Sequence, residues 1–281
     1  MEKITTLKLA EFKCQGRKIT ALTAYDAPFA RMMEEAGVDL ILVGDSVGMA
    51  MHGKPDTLSV TMEEMVLHAR AVAMAVKTPM VVVDMPFMSF QVSREKAVEN
   101  AGRLIKETGA QGVKLEGGEK YAATIRAIVD AGIPVMGHVG LTPQSVHQLG
   151  GYRVQGKQSE SARHVVADAR AVEKAGAFSV VLEAVPAELG LAITGSLRIP
   201  TIGIGAGAGC DGQILVMHDM LGLSDGPFPR FVKSYVNLKQ QATAAFTEYA
   251  ADVRSSRFPA EEHCYHARDG APLRVVGKKK G

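Results

Sequence analysis

Four apolar runs in this chain end in a carboxylate: Leu40-Ile41-Leu42-Val43-Gly44-Asp45, Met80-Val81-Val82-Val83-Asp84, Gly112-Val113-Lys114-Leu115-Glu116 and Val180-Val181-Leu182-Glu183. Short β-branched runs bounded by Gly and Pro read as fully buried parallel strands. A single acid at a strand exit carries little information. Four acids at four exits converge if the strands lie side by side and parallel, because their C-terminal ends then share one face. Carboxylates crowded there repel one another unless a cation, a bound proton or a substrate charge compensates. The pattern points to a metal-assisted enzyme.

The order of elements predicts a repeated βα unit. Strands are expected over Lys18 to Thr23, Leu40 to Val43, the run up to Asp84, the run up to Glu116, Pro134 to Gly137, Ser179 to Leu182, Pro200 to Ile204 and Gln213 to Met217. Helices are expected between them. Thr61-Met62-Glu63-Glu64 has capping-box spacing, Ser93 is placed to cap another helix, and Gly37, Gly109, Gly132 and Gly176 stand where helices stop. A further amphipathic helix is expected over Ser234 to Val253. This order predicts an α/β fold, a single-domain (β/α)₈ TIM barrel with its site at the C-terminal ends of the strands. The barrel domain is expected over 1–266, with a solvated tail over 267–281 that ends Lys278-Lys279-Lys280.

Composition narrows the function classes. A net charge of +2 gives no reason to expect nucleic acid or an anionic membrane as partner. Trp is absent and aromatics are few, against an RNA-stacking surface. The three scattered cysteines, Cys14, Cys210 and Cys264, suit a reducing cytoplasm and not a disulfide framework. Met1 is followed by Glu2 and Lys3 with no apolar region, so no signal peptide is expected. No apolar run has the length of a membrane span.

Each candidate group has a plainer reading beside the functional one. Asp45 and Asp84, taken singly, are turn carboxylates. Together, with Glu116 near, they make a hard, oxygen-rich site that suits Mg²⁺ better than zinc. Lys114 and Glu116 stand two apart on one strand and so share a face, as a buried ion pair or as a substrate cation beside a metal-linked acid. His138 ends the fifth strand, as a structural hydrogen-bonding group or as a donor to a substrate oxygen. Glu183 stands among Leu182, Ala184 and Val185, surroundings expected to raise its pKa and suit it to acid–base work. The glycine-rich stretch from Gly203 to Gly209 reads as a tightly packed turn rather than a phosphate cradle.

Several of these segments recur together, in order, in one known family. They are Leu22-Thr23-Ala24-Tyr25-Asp26, Gly44-Asp45-Ser46-Val47-Gly48-Met49, Asp84-Met85-Pro86-Phe87, Lys114-Leu115-Glu116-Gly117, the run from Gly137 to Gln144, Leu182-Glu183-Ala184-Val185-Pro186 and the run from Ile202 to Gly207. From about residue 4 to 266 the chain resembles the ketopantoate hydroxymethyltransferases. The resemblance implies transfer of a one-carbon unit from 5,10-methylenetetrahydrofolate to 3-methyl-2-oxobutanoate, giving 2-dehydropantoate in pantothenate biosynthesis. It implies one Mg²⁺ held by Asp45 and Asp84 and supported by Glu116. It further implies Ser46 and Lys114 at the keto acid, Glu183 as the proton-transfer residue, and a homodecamer. Val47 and Cys264 are mild departures from the family pattern. Two other classes stay open on the residues: a different Mg²⁺ enolate enzyme related to phosphoenolpyruvate mutase or isocitrate lyase, and a keto-acid binder without catalysis.

Overall fold

Strand pairing in the computed structural model, which describes residues 2–266, closes eight parallel strands into one ring in chain order. The strands are β1 (Ile19–Thr23), β2 (Leu40–Val43), β3 (Met80–Asp84), β4 (Gly112–Glu116), β5 (Val135–Gly140), β6 (Ser179–Glu183), β7 (Thr201–Ile204) and β8 (Gly212–Leu215). The helices are α1 (Thr6–Cys14), α2 (Ala27–Glu35), α3 (Val47–Ala50), α4 (Met62–Ala73), α5 (Arg94–Thr108), α6 (Ala122–Asp130), α7 (Val146–Leu149), α8 (Ser159–Lys174), α9 (Ala187–Ser196), α10 (Met217–Met220) and α11 (Leu238–Arg254). The (β/α)₈ expectation is met. The described residues divide into two compact units, the barrel up to Tyr235 and a second unit from Val236. In that second unit Asn237 caps α11, which begins at Leu238 rather than Ser234. The tail expected over 267–281 lies outside the described residues. Among the described residues no helix is long and apolar enough to cross a membrane.

Local chemistry explains the helix starts. Thr61 and Glu64 exchange side-chain-to-backbone hydrogen bonds at the head of α4. Ser93 accepts from the Lys96 amide at α5, and Asp26 accepts from Phe29 at α2. Gly109 ends α5 with a φ of 81°, a conformation that a Cβ disfavours.

Alternation along the strands sorts the core into two shells. Leu40, Leu42, Met80, Val82, Met136, Val181, Ile202 and Ile214 form one buried cluster inside the barrel. Ile41, Val43, Val81, Val83, Val113, Leu115, Val180 and Leu182 join the other, with helix residues such as Met65, Leu104, Ile125 and Val172. The inner cluster also takes Leu9 and Phe12 of α1, which closes the N-terminal end of the barrel. Helix α1 is missing from the sequence reading. Its buried face is only those two residues, too few to give a periodic signal.

The ring closes where β8 meets β1 and β7. Gly212 pairs with Ile19 on one side and Ile202 on the other. A Cβ at Gly212 would stand 2.5 Å from the Ile19 carbonyl oxygen and 2.8 Å from Ile202 Cδ1. Backbone cannot yield there without opening the seam. Gly212→Ala is therefore expected to cost about 1–3 kcal/mol, the usual scale of overpacking, measured by urea unfolding. An unchanged midpoint would show that the seam relaxes freely.

Candidate active site

The alternation that fills the barrel also aims the polar groups. Met80, Val82 and Asp84 share the inner face of β3. Gly112, Lys114 and Glu116 share that of β4, and Met136 and His138 that of β5. Apolar residues fill the lower layers and charged ones the top. Register aligns Asp84 with Lys114, Glu116 with His138, and Gly140 with Glu183. Asp45 and Ser46 follow β2 directly, and the Asp45 amide donates to Asp84 Oδ2 at 3.0 Å. All seven groups singled out from sequence thus stand at the C-terminal ends of β2 to β6. Asp45, Asp84, Lys114, Glu116 and His138 are buried, each at most 5% exposed. The Glu183 side chain is 14% exposed and stands nearest to solvent among the four acids.

Lys114 Nζ lies 2.5 Å from Asp84 Oδ1. This is a charge contact without the alignment of a hydrogen bond, and Asp84 Oδ1 has no hydrogen-bond partner among the described residues. His138 stands between two acids, with Nε2 3.1 Å from Glu183 Oε2 and Nδ1 3.6 Å from Glu116 Oε1. Tyr25, buried beneath β2's exit, shares a 2.8 Å hydrogen bond with the Ser46 hydroxyl. Burial pushes the Tyr25 phenol well up, so it keeps its proton.

Four carboxylates face one ammonium in this pit. Burial and then the charge of Asp84 push Asp45 up to about 7. Burial and then Asp45 push Glu116 well above the usual carboxylate range. Burial alone would drive Lys114 to lose its proton, but Asp84, Glu116 and Asp45 outweigh it and raise its pKa. Burial, helped by Lys114, lowers His138, so the imidazole is neutral near neutral pH. A neutral ring has one N–H. Neither nitrogen makes an aligned hydrogen bond among the described residues: Nδ1 is too far from Glu116 at 3.6 Å, and the 3.1 Å approach of Nε2 to Glu183 is poorly aligned.

Gln144 is the functional neighbour that sequence reasoning passed over. Its Nε2 donates to Asp45 Oδ2 at 2.8 Å and to the Met85 carbonyl at 3.0 Å, and its backbone N–H donates to Glu116 Oε2 at 2.9 Å. One residue thus steadies two of the acids. The family-like run from Gly137 ends on Gln144, but an amide in a turn gives no chemical signal of its own. The glycine-rich turn after β7 packs tightly, as expected: a Cβ on Gly207 would meet Ala187 at 2.5 Å, and one on Gly209 would meet Leu191 at 2.9 Å.

Among the described residues, no three acids, histidines or cysteines are set as a ready-made metal cage. Glu116 is turned toward Gln144 and His138. Asp45 and Asp84 remain as adjoining oxygen donors, one with a raised proton affinity and the other with an oxygen lacking an aligned donor. A hard divalent cation with few protein ligands fits that pair, because it would replace the proton and supply the missing positive charge.

Comparison with known proteins agrees with the geometry. Residues 3–261 match the family model described as ketopantoate hydroxymethyltransferase. A 3-methyl-2-oxobutanoate hydroxymethyltransferase from a Thermoanaerobacter species is 54% identical over 264 residues, covering 94% of this chain and 96% of the relative. Another of that name, from Desulforapulum autotrophicum, is 55% identical over 263 residues, covering 94% of this chain and 98% of the relative. Among solved structures, a phosphonopyruvate hydrolase superposes with a TM-score of 0.62 at 16% identity, covering 95% of this chain and 92% of its own. That last likeness bears on the fold alone. Match length and identity together establish that this chain belongs to the ketopantoate hydroxymethyltransferase family.

Proposed function

We propose that this chain transfers a hydroxymethyl group from 5,10-methylenetetrahydrofolate to 3-methyl-2-oxobutanoate, giving 2-dehydropantoate and tetrahydrofolate. The observation that carries the reading is the convergence of Asp45, Asp84, Lys114, His138 and Glu183 at five consecutive strand ends in a member of this family. Asp45 and Asp84 would hold Mg²⁺, with Glu116 supporting Asp45 through their shared tie to Gln144. When bound, Mg²⁺ supplies Lewis-acid stabilisation to the two adjacent oxygens of a 2-oxo acid.

The chain's own groups do the rest. Lys114 and the Ser46 hydroxyl receive the substrate carboxylate and keto oxygen. Lys114 keeps its charge and so also offsets the negative charge that develops on the keto oxygen. Glu183, at the pit's solvent edge, takes the C3 proton. His138 Nε2 lies 3.1 Å from Glu183 Oε2 without hydrogen-bond alignment, and the ring is neutral, so it does not lock the proton acceptor in a strong ion pair. In the net reaction a bond forms between C3 and the donor's methylene carbon, that carbon leaves the folate nitrogens, and water provides the hydroxyl oxygen.

The test is loss of the C3 proton of 3-methyl-2-oxobutanoate in heavy water with Mg²⁺ and no folate, followed by proton NMR. Exchange supports the reading, and its absence with both ligands bound would sink it. On the same reading, Asp45→Ala and Asp84→Ala each weaken Mg²⁺ binding by about tenfold or more in calorimetry, since each removes one of few protein ligands. Unchanged affinity in both would reject the assignment. The enzyme works in the cytoplasm as a homodecamer, which sedimentation would check.

A further inference from the structure

The charged pit is rimmed by exposed apolar side chains. Met49 is 45% exposed and Met51 43%, both just past the exit of β2. Phe87 and Met88 follow β3, 37% and 52% exposed. Tyr152 is 54% exposed on the connection from β5 to α8. The mechanism derived for the keto acid uses none of them.

Tyr152 is the best defined of the five. Gly150 and Gly151, with φ of 67° and 109°, turn the chain into it. Three residues later the Gln155 amide donates to the Ala184 carbonyl at 2.8 Å. Ala184 follows Glu183 directly and itself has a φ of 48°. The loop is thus pinned beside Glu183. On its other side the Tyr152 hydroxyl reaches Met49 Sδ at 4.0 Å, bridging the exits of β5 and β2 across the pit. Partial burial and then Asp56, Glu183, Asp45 and Glu116 raise the phenol's pKa, which agrees with a hydroxyl facing the site acids. More than half of Tyr152 stays exposed there. Arg153 and Lys157, both exposed, follow on the same loop.

We infer that Tyr152, backed by Met49, is the stacking platform for the planar ring system of the one-carbon donor; this rests on the transferase reading above. The donor must bring its methylene carbon to C3 of a keto acid lying in the pit, so its ring system has to lie against the mouth. A fused heteroaromatic ring is matched by an aromatic face and a polarizable thioether. The donor's glutamate carboxylates are matched by the exposed cations of Arg153 and Lys157 on the same loop.

The experiment uses the full chain with Tyr152→Ala and Tyr152→Phe. C3 exchange without folate reads the keto-acid half of the site alone, and steady-state turnover with varied 5,10-methylenetetrahydrofolate reads the donor half. Tyr152→Ala is expected to raise the donor KM by roughly ten- to hundredfold, the scale of a lost stacking partner. Tyr152→Phe is expected to stay within about threefold of the parent, because stacking needs the ring and not the hydroxyl. Calorimetry with tetrahydrofolate should show the same ranking. An unchanged donor KM in Tyr152→Ala would overturn the inference. So would a parallel fall in exchange, which would put Tyr152 at the keto acid, or dissociation of the assembly in sedimentation, which would mean that a second copy covers the rim. Absence of exchange in the parent chain would instead reject the transferase reading itself.

Discussion

Glu183→Gln is expected to lower C3 exchange by about a hundredfold or more, the usual loss when a general acid–base group is removed. Keto-acid and Mg²⁺ binding should survive. Glutamine keeps the shape of the side chain and its contact with His138, but it cannot take a proton from carbon. Glu183 is the most exposed of the four acids, so the swap buries no unpaired charge and stability should change little. Proton NMR on the variant in heavy water, with binding checked by calorimetry on the same sample, decides the matter. A rate within about threefold of the parent would pass the proton-transfer role to His138 or to a water.

Lys114→Ala is expected to affect both binding and stability. It removes the cation that, among the described residues, contacts the pit's acids, leaving Asp84 without its 2.5 Å partner. Breaking a buried pair in this way costs about 3–5 kcal/mol. The cost should depend on pH with a definite sign. The Lys114 charge lowers the proton affinity of Asp45 and Glu116, so its loss raises both. An acid with a raised pKa in the folded state holds a proton that the unfolded chain releases, and stability then falls as pH rises between the two pKa values. For Asp45 that window runs from 3.8 to about 7 in the parent chain, and the variant extends it upward. The variant should therefore lose more stability at pH 8 than at pH 5, and Mg²⁺ should restore part of it. The keto-acid KM should rise by about tenfold or more, with Mg²⁺ affinity less affected. Equal destabilisation at both pH values with an unchanged KM would reduce Lys114 to a packing group.

Much of this was legible in the chain because it depends on period two. On β4 the alternation Gly112, Lys114, Glu116 against Val113, Leu115 separates the barrel interior from the helix layer, and the structure sorts these residues in that way. The acids at the ends of β3, β4 and β6 and just beyond β2 were visible for the same reason: parallel strands bring their exits to one face. Short-range chemistry was visible too, in the Thr61–Glu64 capping box and in Gly109. Partnerships between distant residues were not. Nothing local to Gln144 announces that its amide will hold Asp45, 99 positions away, or that its backbone will hold Glu116. The same is true of Tyr25 under Ser46, and of α1, whose two buried residues gain meaning only at the foot of the closed barrel.

The charge states divide along the same line. Sequence placed Glu183 among apolar neighbours and so expected the raised pKa there. In the fold, burial and mutual repulsion push up Asp45 and Glu116, for which sequence offered no such expectation. Apolar neighbours in sequence point to the opposite face of a strand, so they say little about what surrounds a side chain in the barrel. The sequence by itself determined the order of the eight strands, the barrel, the inward face of each strand and which end bears the acids, all of which follow from local periodicity. Only the tertiary structure decided which acid meets Lys114, which keeps its proton and which stays near solvent, because those depend on distances and desolvation that arise when the ring closes.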